Sequence, residues 1–341
     1  MARTYRPLDG VLLFDKPLDL SSNTALQKVR RLFQAEKAGH TGTLDPLATG
    51  LLPICFGEAT KFSNALLDAD KTYRARLRIG QTTTTGDAEG EVIAEHPVEI
   101  EQADVDSVLE KFRGEIQQLP PMHSALKHKG KPLYEYIRKG ETIERELRNV
   151  VIYELVLNSF GGKELPPPNL PPVGGGTIAP SPFGGGLGRG FEMDITVRCS
   201  KGTYIRTLAE DIGAALGCGA HLTGLRRTAI AHFDLGNAYN WQQLEAMTEA
   251  ERDACVLPPE ALMPGMPRLQ LDAVQIKRLA QGQRLGLDTG LPDGKVSLYG
   301  AQGFIGVGLL QGRRLAPDRL LSCVAKQAAQ GSDVPAGGHI S

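Results

Sequence analysis

The sequence predicts an α+β (mixed α/β) chain that ends in a small β-rich module. Three observations predict it. Strand-like and helix-like apolar periodicities alternate from residue 10 to residue 235. A turn-rich segment with Pro258, Pro259, Pro264 and Pro267 then interrupts both periodicities. Beyond it, residues 268–325 carry short strands, glycine-rich turns and one short helix around Ala273–Gln281. The expected division is 1–257, 258–326 and a disordered tail at 327–341. A length of 341 residues, at roughly 150 per domain, agrees with it.

The elements follow in order. "GVLLFDKP" (10–17) is an apolar run stopped by Asp15 and Pro17, and reads as a buried strand. Ser22 or Asn23 is placed to cap a helix whose apolar face is Leu26, Val29, Leu32 and Phe33. A stiff loop, "GHTGTLDPLATG" (39–50), comes next. In "TYRARLRIG" (72–80), Tyr73, Ala75, Leu77 and Ile79 face one way and Arg74, Arg76 and Arg78 the other. That predicts a half-buried strand with a cationic outer face, and "EVIAEH" (91–96) as its hairpin partner. "DVDSVLEKFRG" (104–114) predicts a helix with Val105, Val108, Leu109 and Phe112 inward and Gly114 as its stop.

Residues 123–148 change character, with seven Lys/Arg against four Glu and glycine or proline at 130, 132 and 140. They read as a mobile basic excursion; a solvated surface loop is the plain alternative. Val151, Tyr153, Leu155 and Leu157 then predict a strand paired with "FEMDITVRCS" (191–200). Between these strands, 161–190 is rich in proline and glycine and has no hydrophobic period, so a disordered insertion at a hairpin tip is expected. No helix follows its G-x-G-x-G, so it is not a nucleotide fingerprint. "KGTYIRTLAEDIGAALG" (201–217) reads as a loop and then a helix with Ile205, Leu208, Ala209, Ile212 and Leu216 on one face. "GLRRTAIAHFDL" (224–235) is strand-like.

Composition narrows the function classes. A formal net charge of -1 rules out a polycation, so any nucleic-acid site must be a local patch. No signal-peptide core and no run of ~18 apolar residues is present. Five scattered cysteines without a C-x-x-C pair suggest reduced thiols and a cytoplasmic setting.

The chemistry centres on Asp45. As an isolated Asp-Pro it would read as a turn and a cap. A D-K-T-G-T phosphoryl-transfer motif fails, because the residue before T-G-T is His40 and the only acid, Asp45, comes after it. "GEATKF" lacks the ending of a P-loop. Cys218 and His221 form one pair without a second, too few ligands for zinc. No nucleophile–base signature of a hydrolase stands out.

"GHTGTLDPLATGLLPICFGEATKF" strongly resembles the central motif of TruB-type pseudouridine synthases, which modify position 55 in the T loop of tRNA. "GVLLFDKP", "KTYRARLRIGQTTTTGDAEG", "SALKHKGKPLYEYIRKG", "CSKGTYIRTLAEDIG" and "GCGAHLTGLRRT" match in the family's order, over residues 8–240 except 161–190. The resemblance implies a central, mostly antiparallel sheet crossed by the active cleft, and a PUA-like RNA-binding module at 258–326. It implies Asp45 as nucleophile at the uridine, and Tyr73 as the ring that stacks on the base and a candidate for proton transfer. Arg206 would pair with Asp45, Tyr204 and Leu225 would line the uridine pocket, and His40 would assist loop docking and base extrusion. Lys61 and Lys201 match basic positions near the site. Taken singly, Tyr73 and Leu225 read as core, Arg206 as a surface arginine and His40 as a loop histidine; their joint occurrence in order carries the assignment.

The implied reaction breaks the N1–C1′ bond, turns the uracil and joins C5 to C1′. It needs no metal and no cofactor, but it does need a nucleophile, a closed pocket and base flipping. A guanidinium, charged at any working pH, favours the anionic form of a neighbouring carboxylate. Attack at C1′, attack on the ring and elimination to a glycal all remain open. The expected partner is the tRNA T stem-loop, held by Arg74/Arg76/Arg78, Arg226–Arg227 and 123–148 acting as an RNA-gripping insertion. No membrane and no obligate protein partner is expected, and the chain is expected to be a monomer. A non-catalytic tRNA-folding protein and an RNA-guided synthase are the competing readings; tRNA-folding help is compatible with catalysis.

Overall fold

The computed structural model describes residues 5–161 (apart from 123, 125, 129, 138, 139 and 142), 191–322 and 324. Nearly all of the insertion expected at 161–190, and the tail expected at 327–341, lie outside the described residues.

The chain runs β1 (Gly10–Lys16), α1 (Ser22–Leu32), β2 (Ala38–His40), β3 (Ala48–Phe56), α2 (Asn64–Leu67), β4 (Lys71–Ile79), β5 (Gln81–Thr83), β6 (Val92–Glu95), α3 (Gln102–Lys111) and β7 (Gly114–Gln118). A small hairpin, β8 (Lys127–His128) and β9 (Lys131–Pro132), precedes α4 (Leu133–Ile137). Then come β10 (Arg148–Gly161), β11 (Phe191–Cys199), α5 (Ile205–Ala215), β12 (Ala220–Ile230), β13 (Phe233–Asp234), α6 (Trp241–Ala246) and α7 (Glu249–Ala254). The C-terminal part holds β14 (Arg268–Gln270), α8 (Ala273–Ala280), β15 (Leu285–Gly286), β16 (Gly294–Gly300), β17 (Gly303–Gln311) and β18 (Arg314–Leu320).

One large sheet has the order β1-β3-β12-β4-β11-β10-β7, with β2 and β13 attached. Its pairings are antiparallel except β3 with β12. The apolar run of β1 is explained by burial on both faces. Leu12 and Phe14 enter the core beneath α1 and α5. Val11 and Leu13 enter a second core, shared with Phe62, Leu262 and Val307, which joins the sheet to the C-terminal strands. Those strands form their own five-stranded sheet, β14-β16-β17-β18-β15, over a third core of Leu279, Val296, Leu298 and Leu310.

The parallel β3/β12 contact sets up the site. Leu225 of β12 lies opposite Ala48 of β3 on one side and Ala75 of β4 on the other. The loop that enters β3 is thereby brought level with the middle of β4, across β12. Gly50 permits this close approach: its φ is +99°, and a Cβ there would lie 2.3 Å from the Arg227 carbonyl oxygen.

Several sequence expectations are corrected. The cap of α1 is Ser21, which accepts from the Thr24 amide, not Ser22 or Asn23. Residues 92–95 pair with β5, not β4, because β12 and β11 already occupy both edges of β4. In β10 the buried residues are Val150, Ile152 and Leu155, and Tyr153 is exposed, because a bulge between Ile152 and Glu154 reverses the alternation. The arginine face of β4 is not free charge. Arg74 pairs with Asp194 at 2.8 Å, Arg76 lies 3.7 Å from both Asp194 and Glu192, and Arg78 lies 4.0 Å from Glu192.

Candidate active site

Asp45 sits on the loop between β2 and β3, and its neighbours are tied down on both sides. The buried Ser22 hydroxyl donates to the Leu44 carbonyl at 2.9 Å and accepts from the Leu44 amide at 2.7 Å. The Asp19 amide donates to the Pro46 carbonyl at 3.0 Å, and the Ala48 amide donates to Asp45 O at 3.0 Å. Arg227 donates to the Gly42 carbonyl at 3.2 Å. Backbone fixed this closely holds the carboxylate in one place while leaving its side chain 54% exposed.

Arg206 lies in the first turn of α5, where the exposed amides of the helix end favour nearby anions. Its Nη2 is 2.6 Å from Asp45 Oδ2, and its Nε is 3.0 Å from Asp87 Oδ2. Asp87 is buried and also accepts from Thr85 Oγ1 at 2.6 Å and from the Glu89 amide at 3.1 Å. A single guanidinium thus bridges one buried and one accessible carboxylate.

Residues 42–45, Leu47, Ala48, Tyr73, Asp87, Ser124, Tyr204, Arg206, Leu225 and Arg227 contribute to the wall of one cavity of about 300 Å³. Tyr73 is buried, and burial pushes its phenol up, with the adjacent Arg227 charge opposing in part. It is therefore a neutral O–H at working pH. Tyr204 precedes α5 and is clamped by Gln118, which donates to its carbonyl at 3.2 Å and accepts from its amide at 3.0 Å.

The remaining predicted residues lie at different distances from this cavity. His40 is on β2, outside the lining; burial and then the Arg227 charge lower its pKa, and its Nδ1 has no partner among the described residues. Lys201 is on an exposed loop and pairs with Asp68 at 2.9 Å. Lys61 does not reach the site. It binds Glu58 at 2.9 Å, the Leu320 carbonyl at 3.0 Å and Ser322 Oγ at 2.8 Å, because the second core brings its helical turn against the end of β18. Arg226 and Arg227 are both buried, so neither offers charge to phosphate. Arg226 pairs with Asp15 at 2.6 Å, and Arg227 binds the Leu51 carbonyl at 2.8 Å.

Four contributors were not singled out from the sequence. Asp87 and Gln118 have signals only in three dimensions. Ser22 reads as a helix cap from the sequence. Lys16, buried in "FDKP", donates to the Pro17 and Leu20 carbonyls at 2.9 and 2.6 Å, and burial lowers its pKa to about 8, opposed first by the Asp45 charge. Among the described residues, no group of three or more His, Cys, Asp or Glu could hold a metal ion.

Comparison with known proteins decides the family. Residues 30–205 match the TruB family pseudouridylate synthase N-terminal domain. The chain belongs to the TruB family. Two TruB C-terminal domain descriptions match residues 206–264 and 267–321. The tRNA pseudouridine synthase B of Methylobacillus flagellatus is 51% identical over 94% of this chain and 97% of its own length. That of Azoarcus sp. is 51% identical over 93% of this chain and 96% of its own. A chain in the crystal structure of a Cbf5-Nop10-Gar1 complex superposes with a TM-score of 0.61 at 23% identity, over 91% of this chain and 84% of that one. This last likeness speaks for the TruB fold alone.

Proposed function

We propose that the chain isomerises uridine to pseudouridine at position 55 in the T loop of tRNA, with Asp45 as nucleophile. The observation that carries this reading is the 2.6 Å pairing of Arg206 with an otherwise accessible Asp45 at the mouth of a cavity lined by Tyr73 and Leu225.

A cavity of about 300 Å³ has room for one nucleotide and none for a stacked helix. The target base must leave its stack, at a cost of a few kcal/mol. Stacking on Tyr73 returns ~1–3 kcal/mol. Arg206 then has two tasks. It stabilises the anionic Asp45 through Nη2, and Asp87 holds the guanidinium plane through Nε. The carboxylate is preorganised before substrate arrives, so no reorganisation is needed at the moment of attack.

The 123–148 segment acts as the RNA-gripping insertion, and the C-terminal five-stranded unit, within 258–326, as a PUA-like module that adds RNA contact. The enzyme works as a monomer without an obligate protein partner. His40, Lys201 and the base of the insertion serve RNA docking at the rim, and Lys61 serves module docking. Among the described residues no helix is long and apolar enough to cross a membrane.

The test is where the product forms. Unmodified tRNA is incubated with the protein and mapped by carbodiimide adducts. A single new stop at uridine 55 is expected. Intact uridine 55 under conditions where the RNA is bound would leave a tRNA-binding protein and overturn the reading.

A further inference from the structure

We infer that the Ser124 hydroxyl is a substrate contact, hydrogen-bonding a polar edge of the flipped uracil; this rests on the function proposed above. Ser124 is 6% exposed and lines the same cavity as Asp45, Tyr73 and Arg206. Its Oγ is buried and has no hydrogen-bond partner among the described residues. Buried hydroxyls are rarely left so, and an unpartnered one in a cavity wall marks a bond that a ligand completes.

Several other polar side chains at the wall are already committed. Asp87 is held by Arg206 and Thr85, Arg227 by the Leu51 and Gly42 carbonyls, and Thr203 donates to the Ser200 carbonyl at 2.9 Å. Tyr73 and Leu225 offer the base a face and an apolar contact, neither of which reads its edge. Uracil presents two carbonyl acceptors and one N–H donor, and a hydroxyl can answer either kind.

The position of Ser124 adds a consequence. It stands at the start of the basic 123–148 segment, whose root is fastened to the catalytic helix. Gln118 clamps Tyr204, next to α5, and Arg145 donates to the Pro120 carbonyl at 2.8 Å. A bond from Ser124 to the base therefore ties occupancy of the pocket to the seating of the segment that grips the RNA.

The experiment compares wild type with Ser124→Ala on T-stem-loop RNA, measuring single-turnover pseudouridine formation, RNA affinity and thermal stability. The variant should lose about tenfold in rate with RNA affinity within about threefold, since phosphate contacts dominate binding. Its melting temperature should stay level or rise, because an unpartnered buried hydroxyl has been removed. RNAs carrying 2-thiouridine, 4-thiouridine or 3-deazauridine at the target then locate the contact. One of these analogues should slow wild type but add no further loss in Ser124→Ala. An unchanged rate, a fall in stability that accompanies the loss of rate, or three analogue penalties that persist in full would each overturn the inference. Failure of the wild type itself on unmodified RNA would instead bring down the proposed function, and is seen separately in the control.

Discussion

Ser22 and Leu44 exchange two hydrogen bonds through one hydroxyl, one residue before the Asp45 carboxylate. The Ser22 side chain comes from the first turn of α1, so the helix fixes the height of the Asp45 loop over the sheet. Removal of the hydroxyl leaves the Leu44 amide and carbonyl buried without that partner. Ser22→Ala should lose ~1–3 kcal/mol of stability in urea unfolding. The loosened loop should also lower the single-turnover rate about tenfold, with RNA affinity little changed.

Asp87 is predicted to matter nearly as much as a residue that touches substrate. It holds Arg206 at 3.0 Å from the side opposite Asp45. Asp87→Asn keeps the shape and removes the charge, which should cost roughly 2–3 kcal/mol of the charge-assisted bond and lower the rate about a hundredfold. Filter binding with T-stem-loop RNA should show an unchanged Kd, because Asp87 is buried and committed to Arg206 and Thr85, and phosphate contacts dominate binding.

Arg227 offers a test that separates packing from RNA contact. It is 1% exposed and binds two backbone carbonyls. Arg227→Met should destabilise the fold by ~3 kcal/mol in urea. Below its melting temperature, the salt dependence of RNA binding should keep the wild-type slope. A slope shallower by about one would show that this arginine does meet a phosphate.

Lys16 makes a prediction about pH. Its folded-state pKa of about 8 lies below the ordinary 10.5, chiefly because the ammonium is buried. Between these values the unfolded chain holds more protons than the folded one. Linkage then makes this group's contribution to stability rise with pH, by up to about 1.4 kcal/mol per unit, through the window from 8 to 10.5. Below pH 8 its cost is constant. Urea unfolding of wild type and Lys16→Met from pH 7 to 10 should show wild type gaining on the variant above pH 8. Parallel curves would contradict this.

Much of this architecture is legible in the sequence. Periodicity places α1, α5 and α8 nearly to the residue, and the pairing of β10 with β11 across the 161–190 stretch follows from their apolar patterns; α3 runs Gln102–Lys111 and ends at Phe112, because Gly114, read as its stop, already begins β7. Asp45 and Arg206, 161 residues apart, were linked through family order, which spacing alone could not supply. What escaped was set by long-range pairing. Nothing local shows that Asp194 and Glu192 will lie beside Arg76 and Arg78, or that Arg226 and Arg227 will be buried between β3 and β4. A single bulge in β10 was enough to send Tyr153 to solvent. Lys61 lies in a matching motif, yet its direction depends on the C-terminal sheet that packs against it.

The central claim is that the Asp45 carboxylate performs the chemistry and does not merely help to bind RNA. Single-turnover pseudouridine formation by Asp45→Asn, measured beside its affinity for the same T-stem-loop RNA, tests this most directly. With Asp45→Asn no product should be detectable, at a Kd within about threefold of wild type. Product at the wild-type rate, from a protein bound equally well, would contradict it.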